Sequence, residues 1–233
     1  MFTKKNVTGF VAAAAACVVA STASAGFVVE DAPAWRGDAN TSYYGWEDFT
    51  SADGYMNGPN FPGNEAFPSG DGLLFNFGSG ATIAGSGNIY AFGGNLNIHT
   101  YGYADSDITD AVFNFATLGT QIDLSGAMLA WSDGVEGGES GMISAAGSFS
   151  VNYSEEFEFG PGQLGYMDNV SWSFDLSGIA ADVREVGLIW TSQTNNISLD
   201  AASMDLRYAA IPAPGALALL GLAGVAGRRR RRN

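Results

Sequence analysis

The sequence predicts an all-β protein, an antiparallel β-sandwich or jelly roll, with one apolar helix at each end. Three observations predict it. Short aromatic or β-branched runs alternate with Gly, Asn, Asp and Ser turns, and 32 of the 233 residues are Gly. Several runs alternate apolar and polar residues with period two, as half-buried strands do. No segment sustains a helical period outside the two ends. Many short strands with Gly-rich turns argue a sandwich, with a β-helix as the runner-up. The chain has no fixed-length repeat, which counts against a β-helix and a propeller.

At the N-terminus, Lys4 and Lys5 precede an apolar, alanine-rich stretch from Val7 to Ala20 and then Ala23-Ser24-Ala25. This is the order of a secretory signal helix spanning 1–25, cut by signal peptidase between Ala25 and Gly26. An uncleaved anchor is the alternative. A lipoprotein reading around Cys17 lacks the leucine usual before a lipidated cysteine. Cys17 is the only cysteine, so cleavage leaves no disulfide and no thiol. Stability must then come from the core, with metal ions as a second source.

The body, 26–210, has a size suited to one domain with a proper core. Its first part, Ala34 to Asn64, is aromatic, acidic and turn-rich. Trp35, Tyr43, Tyr44, Trp46 and Tyr55 crowd there, and Trp131 precedes Ser132-Asp133-Gly134. Sugar sites stack rings on pyranose faces and add polar side chains. Trp35, Tyr43, Tyr44, Trp46 and Trp131 are therefore the candidate glycan-binding residues. In the competing reading these rings fill the core. Arg36-Gly37-Asp38 spells an integrin tripeptide, which is read as chance.

Strands are expected at Gly72–Phe77, Asn88–Phe92, Leu96–Tyr103, Ala111–Leu118, Ala127–Trp131, Ser148–Tyr153, Val170–Leu176, Glu185–Thr191 and Ile197–Tyr208. Leu73, Phe75 and Phe77 share one face, as do Leu96 and Ile98, and as do Val170, Trp172, Phe174 and Leu176. His99, the only histidine, should face away from Ile98. A lone His with no cysteine or second His makes zinc improbable. No nucleophile-elbow motif accompanies it either. Gly78-Ser79-Gly80 and Gly85-Ser86-Gly87 are turns, since no helix or lysine follows them.

Charge narrows the function. Arg36, Arg184 and Arg207 are the only basic residues between the two ends, against 24 acidic residues, a formal charge of −21 for the body. Nucleic acid and anionic lipid both need basic surface, so neither is an expected partner. Acidity fits solubility in a salty medium or capture of a hard cation. Asp105, Asp107 and Asp110 have spacing that can set oxygens around Ca²⁺, without the Gly and distal Glu of an EF-hand. The competing reading is a solvated turn with Asx caps. Glu156 and Glu158 share a strand face, with Glu155 opposite. They could form an acidic pair for glycosidic cleavage, or an edge strand that resists pairing.

The C-terminal segment, 211–233, carries Pro212-Ala213-Pro214, an apolar stretch from Gly215 to Gly227, then Arg228, Arg229, Arg230, Arg231, Arg232 and Asn233. The prolines break any preceding helix, so one begins near Gly215. Apolar on every face, it suits a bilayer or a protein core. It is short for a span, which needs roughly 20 residues. Arginines after an apolar segment stay on the cytoplasmic side.

This tripartite tail resembles the PEP-CTERM sorting signal of Gram-negative bacteria, with Ala213 where that family usually has Glu. An ordinary tail anchor is the competing reading. The resemblance implies an exosortase-type processing peptidase as partner, transient inner-membrane association of the precursor, and a mature protein at the cell surface or outside it. Trp35-Arg36-Gly37-Asp38, Trp46-Glu47-Asp48-Phe49 and the runs from Ile122 and Ser171 resemble exported β-sandwich proteins of planctomycetes with such tails. That resemblance implies a sandwich of jelly-roll type. Together these readings give a non-catalytic surface or matrix protein associated with exopolysaccharide. The alternative is a secreted glycoside hydrolase using an acidic pair.

Overall fold

The computed structural model describes residues 27–60 and 72–209, all β-strand or loop. The signal segment with Ala23, Ala25 and Gly26, and the tail with Pro212–Pro214, its helix and Arg228–Arg232, lie outside the described residues. Among those described, no helix is long and apolar enough to cross a membrane. The strands are β1 (Thr41–Trp46), β2 (Gly72–Asn76), β3 (Ala81–Ile83), β4 (Ile89–Ala91), β5 (Asn97–Tyr103), β6 (Ile108–Gly119), β7 (Met128–Ser132), β8 (Ser140–Ser144), β9 (Phe149–Gly160), β10 (Gln163–Asp175), β11 (Glu185–Thr191) and β12 (Ile197–Tyr208).

Every strand pairing is antiparallel, and the strands form two sheets. One has seven strands in the order β3-β4-β12-β6-β10-β9, with β1 also on β12; the other runs β2-β5-β11-β7-β8. Their inner faces build one apolar core. Phe115 of β6 ties them together, its ring 5.3 Å from Trp172 of β10 and 5.7 Å from Trp190 of β11 across the sandwich. At Gly102, a Cβ would stand 2.7 Å from the side chains of both Leu206 and Met204. A side chain at residue 102 would have to push the ends of both aside.

Each expected strand has its counterpart, and β1, β3 and β8 are additional. β3 and β8 are short and made largely of small or polar residues, which leave little period to read. β1 lies inside the aromatic segment expected to be turn-rich. Its TSYYGW run is β-prone, and it pairs with β12 from Thr41↔Arg207 to Trp46↔Ala202. One edge of β12 thus serves two strands, β4 at Ile197–Leu199 and β1 at Ala202–Arg207. The change of partner coincides with a bulge at Asp200.

Alternation holds along β10. Val170, Trp172, Phe174 and Leu176 are buried and Ser173 is exposed, but Ser171 is buried as well. The reason is a strap, residues 27–38, across the outer face of the seven-stranded sheet. Val29 N–H donates to Asn169 Oδ1 (2.7 Å) and Asp31 N–H to Asn114 Oδ1 (3.1 Å). Ser171 Oγ donates to Asp31 Oδ2 (3.1 Å). In β2 the core contact is Leu74, fully buried, while Leu73, Phe75 and Phe77 face outward; Phe77 is 52% exposed.

Candidate functional site

The aromatic residues expected to bind glycan do not form one exposed set. Trp46 is fully buried, with its indole N–H bonded to Asn57 O at 3.0 Å, and Tyr44 is buried beside it in the core. Tyr43 lies under the Arg36 guanidinium, 4.0 Å from the ring centroid, and its hydroxyl donates to Glu30. Trp35 is half-buried beside Arg207. Trp131 packs against the core and over Gly141. Burial of large apolar area outweighs display for these rings. Tyr55, in the same aromatic segment but outside that set, is 74% exposed.

The three aspartates proposed for Ca²⁺ are drawn apart. Their segment carries the chain from β5 in one sheet to β6 in the other, so the carboxylates diverge. Asp105 lines a depression beside Tyr103, and Asp110 lines another beside Trp35. Asp107 Oδ1 accepts the Val183 N–H at 2.7 Å, and Asp110 pairs with Arg207 at 2.7 Å. Among the described residues, no three His, Cys, Asp or Glu side chains are grouped to hold a metal ion.

The acidic run sits on β9, an edge strand. Glu156 accepts from the Tyr166 hydroxyl (2.9 Å), Glu158 from Gly162 N–H (2.7 Å), and Glu155 from the Tyr153 hydroxyl. Each carboxylate is thus bonded within its own hairpin. Charges along an unpaired edge deter another strand from adding to it.

His99 faces away from Ile98, on the outer side of its sheet. The outer face of the five-stranded sheet carries cross-strand rows. One row is Phe75, His99, Ile189, Met128 and Ser144; the next is Leu73, Tyr101, Gly187, Ala130 and Met142. Met142 is 59% exposed. Phe75 stacks on Phe77 with centroids 5.6 Å apart, and Phe77 meets His99 edge-on at 4.8 Å. A Cβ at Gly54 would stand 3.6 Å from the Phe77 ring, which brings the loop bearing Tyr55 to this end of the face.

Hydrogen bonds fix the middle of that face. His99 Nε2–H donates to Asn97 Oδ1 (3.1 Å), which also accepts from Thr191 Oγ1 (3.0 Å). His99 Nδ1 accepts from the Tyr101 hydroxyl (2.8 Å). Burial lowers the His99 pKa, which keeps the ring neutral in this arrangement. Tyr101 leans across Gly187, where it finds no side chain in its way. The result is an open, ring-rich surface with amide, imidazole and hydroxyl groups along its spine. Such a surface can stack on pyranose faces and exchange hydrogen bonds with sugar hydroxyls. The spacing of Asn97, His99, Tyr101 and Tyr103 at every second residue was the sequence signal for it.

The other outer face is covered at its centre, over β6, β10 and β12. Arg36 binds Glu30 through two bonds of 2.8 Å, and Asp205 through two of 2.7 Å. Burial opposes the Arg36 charge, but its bonds to Glu30 and Asp205 outweigh that and raise its pKa. Ser203 Oγ donates to Glu30 at 2.5 Å. This network pins the strap over Ser171, Asn114 and Ser203. No family model matches the chain, and no curated protein matches it with significance.

Proposed function

We propose that the chain is an exported, non-catalytic surface or matrix protein that holds exopolysaccharide on the open face of its five-stranded sheet. The observation that carries this reading is the row-built aromatic surface around Tyr101, His99 and Phe77, which no described residue covers, whereas the strap lies over the middle of the opposite outer face. Export rests on the two ends of the sequence, the signal segment and the sorting-type tail. A glycoside hydrolase finds less support, because Glu155, Glu156 and Glu158 lie on a hairpin edge rather than across a cleft.

Strand order supports a sandwich of jelly-roll type. With β9 set aside, the eight strands from β4 to β12 fall in the order first-eighth-third-sixth in one sheet and second-seventh-fourth-fifth in the other. That is the order of a hairpin of strands wound around a barrel, with two Greek keys.

The test is a glycan array probed with the purified full chain in mild detergent, beside Tyr101→Ala and Trp35→Ala variants checked for fold by circular dichroism. Binding should be lost in Tyr101→Ala and kept in Trp35→Ala. An array on which the folded chain binds nothing would defeat the reading.

A further inference from the structure

The open face continues past Tyr101 into a region of strong negative charge. Tyr103 is next along β5 on the same side, in register with Glu185 of β11, which is in register with Ser132 of β7. Ser132 Oγ donates to Glu185 at 2.8 Å. Tyr103 and Glu185 also line a depression of about 800 Å³ that contains Asp105, Asp133, Glu139 and Asp182. Rings and carboxylates therefore share one surface. Arg184 is the cation among the lining residues, and Asp182 and the Asp105 carbonyl already engage it. Backbone N–H groups of Glu139 and Val135 hold the Asp133 carboxyl below its ordinary pKa, so it stays charged.

We infer that the polysaccharide taken by this face is cationic, a polymer of amino sugars with free amines. Its pyranose faces lie on Tyr101 and Tyr103, and its ammonium groups lie over Asp105, Glu139 and Glu185. The inference rests on the glycan-binding reading above and adds the charge of the ligand. A polyuronate or sulfated glycan would meet a body of formal charge −21 and be repelled. A neutral glycan would use the rings and gain nothing from the carboxylates. An amino-sugar polymer alone matches both halves of the surface, by stacking and by charge complementarity.

The experiment compares glucosamine hexamer, its fully N-acetylated counterpart and a uronate oligomer on the full chain, by calorimetry at mildly acidic pH where the amines are protonated. At low salt the free-amine hexamer should bind about tenfold more tightly than the acetylated one, and the uronate not at all. Raising salt from about 0.01 to about 0.15 M shortens the screening length from roughly 30 to roughly 8 Å and should erase most of that preference. Asp105→Asn with Glu139→Gln should remove the preference, bringing the free-amine hexamer down to the affinity of the acetylated one. Glu155→Gln with Glu158→Gln removes equal charge from the β9 hairpin and should leave the preference intact.

Equal affinity for the free-amine and acetylated hexamers overturns the inference while leaving glycan binding in place. Equal loss of preference in both double variants overturns it too, because attraction would then come from overall charge. Failure of every oligomer to bind overturns the glycan reading and this inference together.

Discussion

Tyr101 occupies the space that a side chain at Gly187 would need. A Cβ on residue 187 would stand 2.6 Å from Tyr101 Cδ1 and 2.7 Å from the Thr100 carbonyl oxygen. The first contact could be relieved by turning the ring, but the second is with backbone in the middle of a sheet. Gly187→Ala should therefore destabilise the fold by about 1–3 kcal/mol, the usual range for overpacking, measured by urea unfolding. It should also weaken any glycan binding, since the ring must swing away from its place. A variant as stable as the parent would show that Tyr101 does not depend on this gap.

Arg36 and Arg207 should differ sharply when removed. Arg36 bridges Glu30 and the fully buried side chain of Asp205, whereas the Arg207–Asp110 pair has side chains 44% and 20% exposed. Arg36→Met leaves two carboxylates without their partner and should cost about 3–5 kcal/mol. Arg207→Met should cost at most about 1 kcal/mol. Similar losses by denaturant titration would mean that the strap contributes little to stability.

Asp200 makes stability depend on pH. It is buried at the bulge of β12, where it accepts from Ser198 Oγ at 2.8 Å and from the Asn88 amide. Burial pushes its pKa up to about 6 from an ordinary 3.8. Its contribution to stability is therefore fully present below about pH 3.8 and is lost as pH rises through about 6. The size is on the order of 3 kcal/mol. Asp200→Asn keeps an acceptor without the charge, so the variant should gain on the parent progressively across that window. Parallel stability curves for the two proteins would refute this.

Phe174 and Ser173 test the period of β10. Phe174 is 7% exposed and meets Phe113 edge-on at 6.2 Å, while Ser173 faces solvent. Phe174→Ala should cost about 3–5 kcal/mol by leaving a cavity. That is a large share of a domain's usual 5–15 kcal/mol. Ser173→Ala should change stability by less than about 0.5 kcal/mol. Calorimetric unfolding of both variants gives the comparison.

Processing is checked by mass. Protein recovered from the surface of its cells should begin at Gly26 and lack Arg228–Arg232, as the ends of the sequence predict. An arginine block still present on mature protein would rule out the sorting-tail reading.

Local chemistry made the strands readable. In Val170–Leu176 and Ile197–Tyr208, side-chain alternation and neighbouring turn residues mark where the backbone extends, and neither depends on distant contacts. The acidity of the body and the apolar ends were equally plain, because they are properties of composition. Which side of a strand meets the core is different: it is decided by the partner sheet. Leu73, Phe75 and Phe77 share a face as their spacing dictates, yet Leu74 packs inward. Asp105, Asp107 and Asp110 are neighbours in sequence, yet the crossover between sheets sends their carboxylates to different surfaces. Trp46 and Tyr44 lie in a polar, turn-rich stretch of sequence, yet β1 pairs with β12, where burying their rings is worth more than exposing them. Among the described residues, the strap packs on the other sheet and none covers the face around His99. Period and charge are short-range facts of the chain; facing, burial and assembly of a site depend on long-range pairing, which only the tertiary structure decides.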